Sequence, residues 1–302
     1  MKSILIEQLR GVLPQNQILV EEPMSKHTSF RVGGPADVFV SPSLEQLPEI
    51  MKIAKTNEVP VTIIGNGSNL LVGDKGIRGL VIALGKEAEA LSIEGTQMTL
   101  GAGCMLSKAA AEAARRSLSG LEFASGIPGS LGGAVVMNAG AYGGEMKDVI
   151  VSCRVLTPEG EVKELSLEEL ELSYRHSCIP EKNYIVLSAT VQLTPREESL
   201  IREEMADYKN RRIEKQPLEY PSAGSTFKRP EGYFAGKLIQ DAGLSGYMVG
   251  GAKVSEKHCG FVINAGNASA ADVLHLIQDV QDKVYEVFQV KLEPEVKMIG
   301  EF

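Results

Sequence analysis

Hydrophobic and polar positions switch between two periods along this chain, and the switches predict a mixed α+β organisation. The opening MKSILIEQLRGVL sets Glu7 and Arg10 among apolar residues, the pattern of a short amphipathic helix. It lacks the unbroken apolar stretch of a signal peptide. ADVFV at 36–40 alternates as a strand. SLEQLPEIMKIAKTNEV then carries Leu44, Leu47, Ile50, Met51 and Ala54 at helical spacing, with Ser43 expected as its N-cap. VTIIG is an apolar strand running into GNGSN. Two hairpins follow, EALSIEGTQMTLGAG turning at Glu94-Gly95 and VISCRVLTPEGEVKELS turning at 158–160. An alanine-rich helix, MLSKAAAEAARRS, separates them.

NYIVLSATVQLTP reads as a long strand, and REESLIREEMADYKNRRIEKQ as a charged helix bridging two domains. The last third predicts a helix at FAGKLIQDAG, strands YMVGGAKVS and FVINA, and a helix over 270–289. That helix places Val273, Leu276, Ile277, Val280, Val284, Val287 and Phe288 on one face, to be laid on a sheet. KLEPEVKMIG is strand-like and broken by Pro294.

Composition narrows the function classes. The chain has 302 residues, 43% hydrophobic and 23% charged, the balance of an ordinary globular protein with two or three domains. No run of about 18 apolar residues suggests a membrane span. Four cysteines lie far apart without a C-x-x-C pair, which favours free thiols and a cytoplasmic setting. The four histidines form no metal-binding spacing, so no metal is expected. A net charge of −8 argues against nucleic acid as a partner. Locally, however, Lys209, Arg211, Arg212, Lys215, Lys228 and Arg229 stand against only Glu214 and Glu219. This is either a solvated face or a site for a small polyanion such as a nucleotide diphosphate.

Glycine carries the strongest signal. Residues 126–144, GIPGSLGGAVVMNAGAYGG, hold seven of the 31 glycines. Glycine loops admit anions because no side chain blocks the backbone amides. No glycine pair is followed by the lysine of a P-loop, and GNGSNL and GAGCML place leucine where a dinucleotide fingerprint needs its third glycine. What remains is two loops, IGNGSNLLV (64–72) and ASGIPGSLGGAVVMNAGAYGGE (124–145). Each alone is a weak signal. Together they suit a long ligand gripped at two points, a dinucleotide such as FAD.

TSFRVGGPAD, IGNGSNLLV, GIPGSLGGAVVMNAGAYGGE, SYRHS, PSAGSTFKRP and LEPEV occur in this order. Together they resemble the UDP-N-acetylenolpyruvoylglucosamine reductase (UDP-N-acetylmuramate dehydrogenase) family over almost the whole chain. The resemblance implies an α+β fold: a two-subdomain FAD-binding fold of the vanillyl-alcohol-oxidase type, plus a C-terminal α+β substrate domain. The expected boundaries are 1–79 and 80–208 for the FAD-binding subdomains and 209–296 for the substrate domain. The tail 297–302 is expected to pack back on the first. Only a short stretch separates Arg175 from the strand near Tyr184, so the chain is similar to the shorter branch, without the insertion that carries a substrate-covering tyrosine. Arg229 also stands where some relatives have asparagine.

The implied reaction is NADPH-dependent, FAD-mediated reduction of an enolpyruvyl ether to a lactyl ether in peptidoglycan precursor synthesis. It requires a positive group at the substrate carboxylate and a proton donor at the adjacent carbon. The motif matches assign Arg175 to the carboxylate, Ser225 to proton delivery and Glu295 to support of that site. Lys215 or Lys228 would help a serine act as an acid. FAD is assigned to Gly65, Asn66, Gly67, Ser68 and Asn69 in the first loop and to Gly126, Pro128, Gly129, Ser130, Gly132 and Gly133 in the second. Tyr142, Lys215, Lys228 and Arg229 are assigned to the UDP-sugar. An oxidase of the same fold, or a non-enzymatic nucleotide-sugar-binding protein, are the competing readings. The first leaves the Ser225 loop and Glu295 without a purpose, and flavin absorbance would dispose of the second.

Overall fold

A computed structural model describes residues 2–302. Among them lie seven α-helices: α1 (Lys2–Arg10), α2 (Leu47–Thr56), α3 (Leu106–Arg115), α4 (Leu131–Val136), α5 (Glu198–Lys215), α6 (Ala235–Asp241) and α7 (Ala270–Phe288). The chain divides into two compact units. The first takes the N-terminal residues through Leu19, Val38–Asn66 and Gly79–Arg212; the second takes Val20–Asp37, Gly67–Arg78 and Ile213–Phe302.

The first unit is built on a five-stranded antiparallel sheet, ordered Val162–Ser166, Ile150–Leu156, Ile185–Gln192, Gln97–Gly101, Leu91–Glu94. Both expected hairpins are present in it. Alternation sends Met98, Leu100, Cys153, Val155, Ala189 and Val191 inward, and all are buried. Short α4 lies against the central strand, which fixes the second glycine loop to the middle of the sheet. The alanines of α3 (Ala109, Ala110, Ala113, Ala114) are its buried face, small enough for close helix packing. A parallel pair, Val61–Ile64 beside residues 80–83, delivers the first glycine loop from its strand end.

α2 corrects one expectation. It begins at Leu47 after Gln46, not behind Ser43. The Ser43 N–H donates to Gln46 Oε1 at 2.9 Å and its hydroxyl to Glu45, closing a turn ahead of the helix. Pro48, which lacks an N–H, is tolerated only in the first turn, and it fixes where the helix starts.

The second unit has its own core. A small antiparallel sheet (Met248–Val249, Ala252–Val254, Val262–Asn264) is covered by α7. YMVGGAKVS is therefore two short strands that turn at Gly250-Gly251, not one. α7 buries Val273, Leu276, Ile277, Val280 and Val284, with Phe288 packed at the core edge; Val287, on the same face but in the last turn of the helix, is 48% exposed. Ser269 and Asp272 cap the helix reciprocally, and Asp74 accepts from the Ala270 and Ala271 N–H groups. Lys297–Ile299 pairs in parallel with Leu70–Val72.

Candidate active site

Within the first unit the structure brings the two glycine loops together. Asn66 Nδ2 donates to the Pro128 carbonyl at 2.8 Å. A Cβ built on Gly65 would stand 2.6 Å from Ser130 Oγ, so the bare backbone of residue 65 leaves room for the Ser130 hydroxyl. Ser130 precedes α4 but its hydroxyl does not cap the helix. Instead Ser130 Oγ is buried without a hydrogen-bond partner. Such a group costs about 1–3 kcal/mol unless something binds it. The Leu131 and Gly132 N–H groups are spent on the Cys104 and Ala102 carbonyls, so not every amide of this loop is offered outward. A Cβ on Gly133 meets nothing within 4 Å. An orphan hydroxyl beside open backbone leaves a donor and space for a phosphate-bearing ligand, and the residues fit FAD on that ground.

The division between the units falls inside the first loop, after Asn66. Gly67 belongs to the second unit, with φ +63° and a position where a Cβ would overlap the His27 carbonyl. Chain packing alone therefore demands glycine there. Asn69 Nδ2 donates to the Glu295 carbonyl at 3.2 Å.

Arg175 sits on a tight turn. Ser173 and His176 exchange both backbone hydrogen bonds, and Arg175 holds φ +55°, a left-handed value that favours glycine or asparagine. Its guanidinium reaches the Gly140 carbonyl at 3.4 Å and lies 5.0 Å from the Tyr174 ring. The turn is tied to the end of α4 at two points. Ser177 Oγ donates to the Val136 carbonyl at 2.8 Å, and Asn138 Nδ2 donates to the Ser173 carbonyl at 3.1 Å. Asn138 is wholly buried; it also donates to Glu145 Oε2 at 2.8 Å and accepts from the Lys147 N–H at 2.9 Å. One side chain thus joins the Arg175 turn to the loop that carries Tyr142. The motif reading missed it, although asparagine just past a helix end is a known left-handed cap signal, and Asn138 has φ +40°.

Tyr142 also has positive φ and is 39% exposed. Its ring stacks on Tyr208 of α5, centroids 4.5 Å apart and planes 6° apart. Tyr208 donates to Glu204, which pairs with Arg196; the bond to the Glu204 carboxylate, followed by burial, pushes the Tyr208 hydroxyl up to about 12. Sequence reasoning did not single out Tyr208.

In the second unit, chain pairing joins motifs seventy residues apart. The Glu295 N–H donates to the Thr226 carbonyl at 2.8 Å, Phe227 bridges Pro294, and the Lys228 N–H donates to the Glu293 carbonyl at 2.9 Å. Buried Thr226 is fixed from the other side by Gly260 and Val262. Ser225 is therefore an exposed hydroxyl on a rigid ledge, next to the backbone of Glu295. Lys228 pairs with Glu293 at 3.1 Å, and Arg229 lies 4.0 Å over the Phe234 ring, while Lys215 is exposed at the end of α5. Arg175 and Tyr142 belong to the first unit, Ser225 and Glu295 to the second.

Comparison with known proteins gives a consistent answer. Residues 216–299 match the UDP-N-acetylenolpyruvoylglucosamine reductase C-terminal domain, and residues 35–166 match an FAD binding domain. The chain is 60% identical to the UDP-N-acetylenolpyruvoylglucosamine reductase of Agathobacter rectalis, with all of both chains covered. It is 51% identical to that of Caldanaerobacter subterraneus, again with all of both covered. Among solved structures, the reductase from Thermus caldophilus matches with a TM-score of 0.80 at 37% identity, covering 93% of this chain and 97% of that one. An alkyldihydroxyacetonephosphate synthase shares the fold at 17% identity and a TM-score of 0.51, over 64% of this chain and 40% of its own. The fold is α+β, with an FAD-binding part of the vanillyl-alcohol-oxidase type, and the chain belongs to the UDP-N-acetylenolpyruvoylglucosamine reductase family.

Proposed function

We propose that this chain reduces UDP-N-acetylglucosamine enolpyruvate to UDP-N-acetylmuramate, a step of peptidoglycan precursor synthesis, with NADPH as reductant. Its relatives' names and full-length identity support the reaction. The observation that carries the site assignment is the pairing of the serine loop with the Glu295 strand, which holds Ser225 in a fixed position. When bound, FAD would supply the hydride chemistry that couples NADPH to the enolpyruvyl group. The proposed holders of FAD are Gly65, Asn66, Gly67, Ser68 and Asn69 with Gly126, Pro128, Gly129, Ser130, Gly132 and Gly133. Residues 1–79 and 80–208 are the proposed FAD-binding subdomains and 209–296 the substrate domain.

Arg175 takes the substrate carboxylate. Its planar fork is always charged and meets the negative charge that spreads into the carboxylate as the double bond is reduced. The turn that carries it costs backbone strain and is held by Asn138 and Ser177, the kind of over-determined geometry found at reacting centres. Ser225 delivers a proton to the adjacent carbon. Glu295 supports the carboxylate site. Tyr142, Lys215, Lys228 and Arg229 hold the UDP-sugar. The proposed setting is the cytoplasm, supported by four buried free thiols; no helix among the described residues is long and apolar enough to cross a membrane. Anaerobic mixing with NADPH, then with the enolpyruvyl sugar nucleotide, tests the whole reading. The flavin should bleach with the first and recover with the second. Absence of flavin, or bleached flavin that the sugar nucleotide leaves unchanged, would sink it.

A further inference from the structure

α5 carries four basic residues over 209–215, and one of them behaves differently from the rest. Lys209 and Lys215 are exposed, and Arg211 pairs with Asp207 at 2.7 Å one turn away. Arg212 is half-buried and turns onto the second glycine loop. A Cβ on Gly126 would lie 3.4 Å from its Nη1 and 3.5 Å from its Cδ. The guanidinium thus covers bare backbone at the start of the loop. No carboxylate of the described residues pairs with it, unlike Arg78, Arg115, Arg116, Arg196, Arg202 and Arg211. Burial pushes it below the usual arginine range, with Tyr142 opposing that push. A protein of net charge −8 has no shortage of acids to neutralise a buried cation. A partly desolvated guanidinium without one is expensive unless a ligand supplies the negative charge.

The position selects which negative charge. Ser130, the orphan hydroxyl of the same loop, lies against Gly65 of the first loop. Arg212 instead lies by Gly126, four residues ahead of Ser130, on the helix whose Tyr208 stacks on Tyr142. Tyr142 is assigned to the substrate, and the substrate must meet the redox-active ring of FAD, not its diphosphate. We propose that Arg212 faces the FAD ring and stabilises the negative charge the ring gains when it takes up a hydride. This inference rests on the FAD-dependent reading above. Its physical consequence is a difference between two affinities. Arg212 strengthens binding of reduced FAD more than of oxidised FAD, and that ratio is the reduction potential.

The test is a spectroelectrochemical titration of holoenzyme, paired with equilibrium binding of oxidised FAD to stripped protein. Arg212→Met keeps the length of the side chain and removes the charge. It should weaken reduced FAD about tenfold more than oxidised FAD, lowering the midpoint potential by about 30 mV for this two-electron couple. Arg212→Lys should recover part of the shift. Arg202→Met, an exposed pair member on the same helix, should leave the potential unchanged. Should Arg212→Met fail to fold, judged by its melting curve, Arg212→Gln is read against Arg212→Lys in the same way. A potential equal to wild type within a few millivolts overturns the proposal. So does equal loss for both redox states, which would place Arg212 on the diphosphate. Wild-type protein that binds no FAD would instead remove the functional reading on which it rests.

Discussion

Replacing Asn138 by alanine tests the link between the Arg175 turn and the loop of Tyr142. The side chain makes three hydrogen bonds while wholly buried: to the Glu145 carboxylate, to the Ser173 carbonyl and from the Lys147 N–H. Bonds between neutral groups contribute about 1 kcal/mol net and one to a charged carboxylate about 1.5–3 kcal/mol. Alanine also tolerates φ +40° less readily than asparagine, a further cost of about 1 kcal/mol. The sum is about 5 kcal/mol, and some relief comes if water enters the space. A loss of about 3–5 kcal/mol in equilibrium urea denaturation, followed by circular dichroism, is expected. Since the Ser173 carbonyl would lose its anchor, reoxidation of flavin by the enolpyruvyl substrate should slow, with reduction by NADPH little changed. Asn138→Asp should be no better than alanine: it keeps an acceptor for Lys147 but sets a second carboxylate beside Glu145. A stability loss below about 1 kcal/mol would refute the reasoning, because the buried bonds would then be replaceable at no cost.

Gly133→Val should give folded but colourless protein, because a Cβ there meets nothing within 4 Å and the side chain enters the space assigned to FAD; normal flavin content on the purified variant would exclude that loop from cofactor binding. Arg175→Ala should slow substrate-driven reoxidation by about 10²–10³ and spare reduction by NADPH; a parallel fall of both half-reactions in stopped flow would make Arg175 structural. Ser225→Ala should bleach normally with NADPH and reoxidise very slowly, with Ser225→Cys recovering part of the rate because a thiol is the stronger acid; wild-type reoxidation in Ser225→Ala would assign the proton to another donor. Cys153 is pushed up to about 12 and Cys104 to about 11, in both cases first by burial. The unfolded chain therefore releases these protons first, so stability should fall as pH rises above the ordinary thiol range toward those values. A melting temperature unchanged between pH 8 and pH 11 would contradict this.

Local periodicity was sufficient for most elements. The stripe from Val273 to Val284 is legible because a helix repeats every 3.6 residues wherever it packs. The alternation of Gln97–Gly101 and Ile150–Leu156 is legible because pleating repeats every two. Boundaries were less secure. The N-cap of α2 depended on a competition between Ser43 and Pro48 that only the folded turn resolves. For the site, the order of six motifs named the candidate residues, since residue type and spacing are properties of the chain itself. Which of them lie side by side was decided by tertiary structure. Ser225 and Glu295 are seventy positions apart and adjoin only through backbone pairing of their segments. Asn138 is an unremarkable residue until burial converts its amide into a three-way joint. Arg211 and Arg212 are neighbours of one kind in one helix, and 100° of rotation separates an ion pair in solvent from a lone cation over Gly126. A sequence specifies the charge; the environment that gives the charge its energy exists only after folding.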